Sequence, residues 1–199
     1  MKRLLIATNN VYKVEELQDL LKDTGLELVT PLQIDLNLDV PEDGSTYAEN
    51  ASKKAAAFAQ ASGLTSLADD SGLEVDALDG APGLYSARYS PKPGASDADR
   101  RALLLENLNG KPRPWKAHFH ATIAIAVPAG AVELAEGNCC GEIISEERGT
   151  GGFGYDPIFL FPELGRTMAE LDMDEKNRLS HRARAVMASM PVLKKLFGL

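Results

Sequence analysis

Acidic side chains that could hold a divalent cation, and amide or basic side chains that could hold phosphate, fall in a few short stretches of this chain. In SLADDSGLEVD, Asp69 and Asp70 stand side by side after an apolar segment and before Ser71-Gly72. Neighbouring strand residues point to opposite faces, so the two acids are expected to do different jobs, one reaching a ligand and the other bracing the turn. Glu42 and Asp43 lie in an acidic loop with Pro41 and Gly44. Mg²⁺ takes one or two carboxylates plus substrate phosphates and keeps several waters, so a pair brought from separate segments is enough. Acids in loops are more often simply solvated; Asp70 stands out because a strand end beside Ser-Gly is a common place for a ligand-facing group in α/β sheets.

The other candidates are basic, polar or aromatic. ATNNVYK delivers Thr8, Asn9 and Asn10 from a strand into a turn at a helix start, with Lys13 one turn on. Free backbone N–H groups there suit a phosphate, and ordinary N-capping by Asn is the competing explanation. GTGGFGYDP satisfies G-x-G-x-x-G through Gly149, Gly151 and Gly154, but YDPIFLF continues into a strand, so no helix N-terminus awaits a pyrophosphate. What remains is a Gly-rich loop presenting Phe153, Tyr155 and Asp156: a ring that could stack on a base and a carboxylate that could accept from its edge. EKNRLSHR places Lys176, His181 and Arg182 at the entry of the last helix, where they could meet an anion or the acceptor atoms of a base, or form a solvated face. His118 and His120 share a strand face without a third ligand in register and read as structural. LDMDEK has D-x-D spacing with no apolar strand before Asp172 and is set aside. No Walker A sequence, nucleophile elbow or H-E-x-x-H motif occurs.

The bulk properties fit one folded domain over residues 1–199. Hydrophobic residues are 44% and charged residues 25%, ordinary globular usage. A formal net charge of -8 argues against sequence-independent binding to long nucleic acid or to anionic membranes, both of which need a surplus of Lys and Arg. A small anionic ligand needs only a local basic cluster. The adjacent pair Cys139-Cys140 suits neither a disulfide framework nor a zinc site. The apolar run Leu4 to Ala7 is too short for a signal peptide and no stretch reaches membrane-span length, so a cytoplasmic location is the default.

These residues need elements to position them. RLLIAT reads as a buried strand, followed by a helix with Val14, Leu17, Leu20 and Leu21 on one face and a stop at Gly25. LELVT is a second strand. Thr46 and Glu49 have capping-box spacing before an Ala-rich helix ending at Gly63; LTSLADD is the next strand, and Ser96 with Asp99 opens another helix. From Trp115 the pattern alternates, with Ala117, Phe119, Ala121, Ile123, Ile125 and Val127 on one face and a turn at Pro128-Ala129-Gly130, implying an antiparallel meander. PIFLFP is one more strand, and RLSHRARAVMASMPVLKKLFGL is a terminal helix with a kink expected at Pro191. The class is α/β or mixed α+β, a mixed sheet flanked by helices.

In order and wording, TNNVYK, EDGSTYAENASKKA, ADDSGLEVDALDGAPGLYSARYS, GTGGFGYDPIF and EKNRLSHR together resemble one family, the inosine/xanthosine triphosphate pyrophosphatases or Ham1-like proteins, over the span Thr8 to Arg182. The resemblance implies an elongated mixed sheet with the substrate in a cleft between two lobes, a homodimer, and Mg²⁺-dependent hydrolysis of nucleotides such as ITP, dITP and XTP to the monophosphate and pyrophosphate. It implies that Thr8, Asn10 and Lys13 hold the triphosphate with Lys54 nearby, that Glu42 and Asp70 hold the metal, and that Asp70 is the general base. Ser71 would contact substrate, Phe153 would stack on the base, and Asp156, Lys176, His181 and Arg182 would line the base end. Tyr47 stands where the family more often has Phe. A sensor that binds nucleotide without turnover, or a pyrophosphatase acting on modified pyrimidine or ordinary nucleotides, are the alternatives.

Overall fold

The computed structural model describes residues 2–128 and 130–199. Its strands are β1 (Arg3–Ile6), β2 (Glu27–Val29), β3 (Ser66–Val75), β4 (Trp115–Ala126), β5 (Val132–Ile143), β6 (Phe159–Phe161) and β7 (Arg166–Thr167). Its α-helices are α1 (Val11–Leu21), α2 (Tyr47–Ser62), α3 (Asp97–Leu108), α4 (Met173–Leu179) and α5 (His181–Phe197). The strands form an open sheet in the order β2-β1-β3-β4-β5-β6-β7. It is mixed: β1 runs parallel to β2 and β3, while β6 is antiparallel to β5 and β7. The expected α/β class with a mixed sheet is what the chain adopts.

Contacts divide the chain into two compact units: Met1–Asp70, Ala121–Gly137 and Arg182–Leu199, and then Ser71–His120 with Asn138–His181. In the first, strand residues alternate between two apolar layers. Leu4, Ile6, Leu67, Ala121, Ile123 and Ile125 pack with Leu17 and Leu21 of α1 and with Ala185, Val186 and Leu193 of α5. Leu5, Ala7, Ala68, Ala124 and Ala126 pack with Ala51, Ala55, Phe58 and Ala59 of α2. The period-two alternation of the sequence thus becomes two helix-covered faces. In the second unit, Leu73, Trp115, Phe119, Ile143, Phe159 and neighbours pack on Leu104 and Leu108 of α3.

Several expectations are corrected. β3 does not stop at Asp70 but continues to Val75, so both acids and Ser71-Gly72 lie within a strand rather than at a turn. EKNRLSHR is split: α4 ends at Leu179 and α5 begins at His181, so Lys176 belongs to a separate short helix. Asp172 of the discounted D-x-D is the N-cap of α4, in a capping box with Glu175. Thr46 caps α2 by accepting from Glu49 N, but the Glu49 carboxylate accepts from Ser45 N (2.7 Å) and the Ser45 hydroxyl (2.9 Å). PIFLFP does hold a strand, but only over Phe159–Phe161 (β6), since Pro157 and Ile158 belong to a preceding turn of 3₁₀ helix over Asp156–Ile158. Gly130 N donates to Val127 O (3.0 Å) in the expected turn, of which Ala129 lies outside the described residues.

Candidate functional site

The alternation of β3 assigns the two acids to different faces. Asp69 has the parity of Leu67 and faces α1 and α5; Asp70 has the parity of Ala68 and faces α2. Asp69 Oδ2 lies 2.6 Å from Lys13 Nζ of α1 and 3.2 Å from Arg182 Nη2 of α5. Arg182 Nη1 in turn pairs with Glu16 of α1. Burial alone would push the Asp69 carboxyl up, but Arg182 and Lys13 beside it override that and hold it well below the usual carboxylate range. Burial also lowers the Lys13 pKa, with the Asp69 charge opposing.

Asp70 is in another situation. Lys54 Nζ of α2 stands 3.6 Å from its Oδ1 and 2.7 Å from Glu42 Oε1, and also donates to Asp69 O at 2.7 Å. Asp70 Oδ2 is buried and has no hydrogen-bond partner among the described residues. Burial raises the Asp70 carboxyl above its ordinary pKa of 3.8, with Lys54 and Lys13 working against the shift. A buried carboxylate with an unused oxygen beside a second carboxylate and a lysine is poorly arranged for stability and well arranged for a ligand. Among the described residues no three His, Cys, Asp or Glu side chains cluster as a metal cage. Two carboxylates alone match a cation that takes its remaining ligands from substrate and water.

The turn between β1 and α1 is built as a helix start. Asn10 is the N-cap, its Oδ1 accepting from Tyr12 N (3.0 Å) and Lys13 N (3.3 Å), and the Thr8 hydroxyl accepts from Asn10 N (3.1 Å). Capping is therefore what the Asn10 side chain does here; Asn9 is exposed and Thr8 half-buried. Ser71 follows Asp70 on β3, half-buried.

In the second unit the Gly-rich loop is folded tightly on its own acid. The Asp156 carboxylate accepts from Phe153 N (3.0 Å) and from Lys176 Nζ (2.7 Å), and that ammonium lies 5.6 Å from the centre of the Phe153 ring. Gly152, at φ +69°, is required: a Cβ there would come within 2.0 Å of Asp156 Oδ2 and 2.9 Å of Lys176 Nζ. The buried Tyr155 hydroxyl donates to Ser86 O (3.0 Å), and burial pushes its phenol pKa up. His181 stacks on Phe119 with centroids 4.7 Å apart and has its Nδ1 4.0 Å from Cys139 Sγ. Cys139 is buried and Cys140 exposed, as alternation on β5 requires. His118 pairs with Glu74 and His120 with Asn138, in agreement with a structural reading.

The structure therefore brings Lys13, Lys54, Glu42 and Asp70 together in one unit, and Phe153, Asp156 and Lys176 together in the other. Arg182, expected with the base-end group, is held by Asp69 and Glu16. Residues the motif reading passed over also appear. Glu16, buried on α1, escaped notice because an acid on an apolar helix face carries no periodic signal. Asn50, buried one turn before Lys54, accepts from Gly44 N at 2.8 Å, and its side chain favours the charged form of Asp70. Its signal was there: i, i+4 spacing from Lys54 on a helix otherwise lined with Ala.

Residues 4–191 match the model described as the Ham1 family. A dITP/XTP pyrophosphatase of Desulforamulus reducens is 50% identical over 196 residues, covering 98% of this chain and 97% of its own length. The dITP/XTP pyrophosphatase of Desulfotalea psychrophila is 49% identical over 183 residues, covering 92% of this chain and 81% of its own. A solved HAM1 protein structure from Coxiella burnetii superposes with a TM-score of 0.87 at 41% identity, covering 98% of this chain and 100% of that one.

Proposed function

The chain belongs to the Ham1 family, and from that premise we propose that it hydrolyses dITP, XTP and ITP to the nucleoside monophosphate and pyrophosphate. The observation that carries the reading is Asp70: a buried carboxylate with an elevated pKa and an unpartnered oxygen, flanked by Lys54, Glu42 and, on the other face of the strand, Lys13. In the proposed reaction a water oxygen bonds to the α-phosphorus, its proton passes to Asp70, the bond from the α-phosphorus to the bridging oxygen breaks, and pyrophosphate leaves. A carboxylate whose pKa is raised is a better base for that proton than an ordinary one.

Lys13 and Lys54 are assigned to the triphosphate, where fixed positive charge favours the charge that develops on the phosphates. The Thr8–Asn10 turn adds the backbone N–H groups of a helix start, and Ser71, on the Asp69 face of β3, is assigned a substrate contact. The acids fit Mg²⁺: Glu42 and the open Oδ2 of Asp70 are hard oxygen donors, and two are enough when substrate supplies the rest. Bound there, Mg²⁺ supplies charge neutralisation of the phosphate oxygens. Phe153 is assigned to stack on the purine, and Gly154, Tyr155, Asp156, Lys176 and His181 to set its edge. Donors placed at the purine 6-position discriminate against an amino group, because they would be left buried and unpaired. We assign Arg182 a place in the site through Asp69 and Lys13, which it braces. The two units are read as one working domain, since β3, β4 and β5 each run through both. Among the described residues no helix is long and apolar enough to cross a membrane. A cytoplasmic homodimer is proposed on the resemblance alone.

The test is product identification with Mg²⁺ and a panel of dITP, XTP, dGTP, dUTP and dTTP. Stoichiometric pyrophosphate from dITP and XTP, with much slower turnover of the others, is expected. Binding without turnover would make the protein a sensor, and comparable rates on dGTP or dTTP would remove the purine selectivity. Asp70→Asn is expected to lose most turnover, roughly 10²-fold or more for a general base, while still binding nucleotide.

A further inference from the structure

The Gly-rich loop is gripped from outside by α3, at a point to which the reading above gives no role beyond contact. Gly154 N donates to Asp97 Oδ2 at 2.8 Å, and Gly154 O accepts from Arg101 Nη1 at 2.8 Å. Arg101 is itself locked: its Nε and Nη2 donate to the two oxygens of Glu147, both at 2.8 Å. Asp97 is also held by Arg100 through its other oxygen. Asp97 and Arg101 stand four apart and so share one face of α3, whose start is fixed by the Ser96–Asp99 capping box.

This arrangement is more specific than a surface ion pair. A guanidinium is a rigid fork; with one edge on a carboxylate, its remaining nitrogen is aimed in a set direction. The two peptide planes that flank Gly154 are therefore both fixed, one through its N–H and one through its C=O. Gly154 sits at φ +61°, a backbone conformation that does not hold itself in place when solvated. The peptide on its N-terminal side is continuous with Phe153, so its plane sets the Phe153 backbone and with it the direction in which the ring leaves the chain. We propose that Asp97 and Arg101, braced by Glu147, are positioning residues that pre-orient Phe153 for the purine ring. They touch no substrate; they remove the ordering that the loop would otherwise undergo on binding.

The proposal rests on Phe153 as the base-stacking residue, and its test separates the two. Affinity for IMP, which has a base, is compared with affinity for inorganic tripolyphosphate, which has none, alongside dITP kinetics and thermal unfolding. Losing its charge-assisted hydrogen bond to the loop, Arg101→Ala is expected to weaken IMP binding and raise KM for dITP by ~10-fold, with kcat and tripolyphosphate binding changed less than ~2-fold. Asp97→Asn should move the same way by less. Should Arg101→Ala fold poorly, Glu147→Gln removes only the outer brace and is expected to raise KM by ~3-fold in a folded protein. Unchanged IMP affinity in the folded variants overturns the clamp, as does a parallel loss of tripolyphosphate binding. A Phe153→Ala protein that binds IMP like the wild type overturns the stacking assignment itself, and the clamp with it.

Discussion

Replacing Asp69 by Asn keeps the shape of a buried group and removes its charge. Asp69 Oδ2 is the shared acceptor of Lys13 at 2.6 Å and Arg182 at 3.2 Å, and the Asp69 and Arg182 side chains are 0% and 2% exposed. Without that charge, Arg182 retains Glu16 but Lys13 loses the carboxylate paired with it. Breaking a buried pair from one side costs about 3–5 kcal/mol, because the other charge stays buried without its counter-ion. For a chain of this size each kcal/mol lowers Tm by about 2–4 °C, so a drop of roughly 6–20 °C is expected. Urea unfolding followed by circular dichroism gives the same quantity as a shift in midpoint at constant slope. Burial already lowers the Lys13 pKa and Asp69 opposes this, so the variant should also bind tripolyphosphate less tightly. A stability loss below about 1 kcal/mol, the scale of a solvent-screened pair, would refute the argument that Asp69 is the hub of this face.

Gly152→Ala should disrupt the Asp156–Lys176 pair, since φ +69° is strained for Ala and its Cβ would collide with both side chains. A loss of about 2 kcal/mol or more in thermal unfolding, with IMP binding weakened and tripolyphosphate binding kept, is the expected result. Asp99 is held below its ordinary range first by Lys92 and then by Ser96. A depressed carboxyl contributes stability above its unfolded pKa of about 3.9 and loses it as pH falls through the folded value. Asp99→Asn should therefore have a lower Tm than the wild type at pH 7, with a gap that narrows below about pH 4; a gap independent of pH would exclude this role.

Much of the fold was legible because local signals and tertiary packing agree. The apolar spacing of Val14, Leu17, Leu20 and Leu21 produced α1, and the Ser96–Asp99 box opened α3 where expected. Strand continuation through Asp69-Asp70-Ser71 was not legible, since a run of polar residues with Gly reads as a turn unless partners for it are known. Here those partners, Lys13, Lys54 and Arg182, come from three distant helices. The break between α4 and α5 at Ser180 was hidden for the opposite reason: RLSHRARA has good helix formers on both sides of a single Ser, which a continuous helix also tolerates. The clamp on Gly154 carried no signal at all, because backbone acceptors and donors have no residue type.

The division between Asp69 and Asp70 was only half encoded in those two residues. Alternation says that they face opposite ways; it does not say which way. That choice is made by Leu67 and Ala68 just before them. Leu67 belongs to the layer of large side chains under α1 and α5, whereas Ala68 joins Ala7, Ala124 and Ala126 under the Ala51, Ala55 and Ala59 face of α2. Small side chains dominate that layer beside Leu5, Val29 and Phe58, and Lys54, adjacent to Ala55 on α2, stands 3.6 Å from Asp70. A Leu in place of Ala68 or Ala55 would thicken that layer by overpacking, typically at 1–3 kcal/mol, and move Lys54 off Asp70. The Ala-rich composition of α2, which in isolation reads only as high helix propensity, is thus what sets the acid of the proposed chemistry beside its lysine, and leaves its neighbour to brace the opposite face.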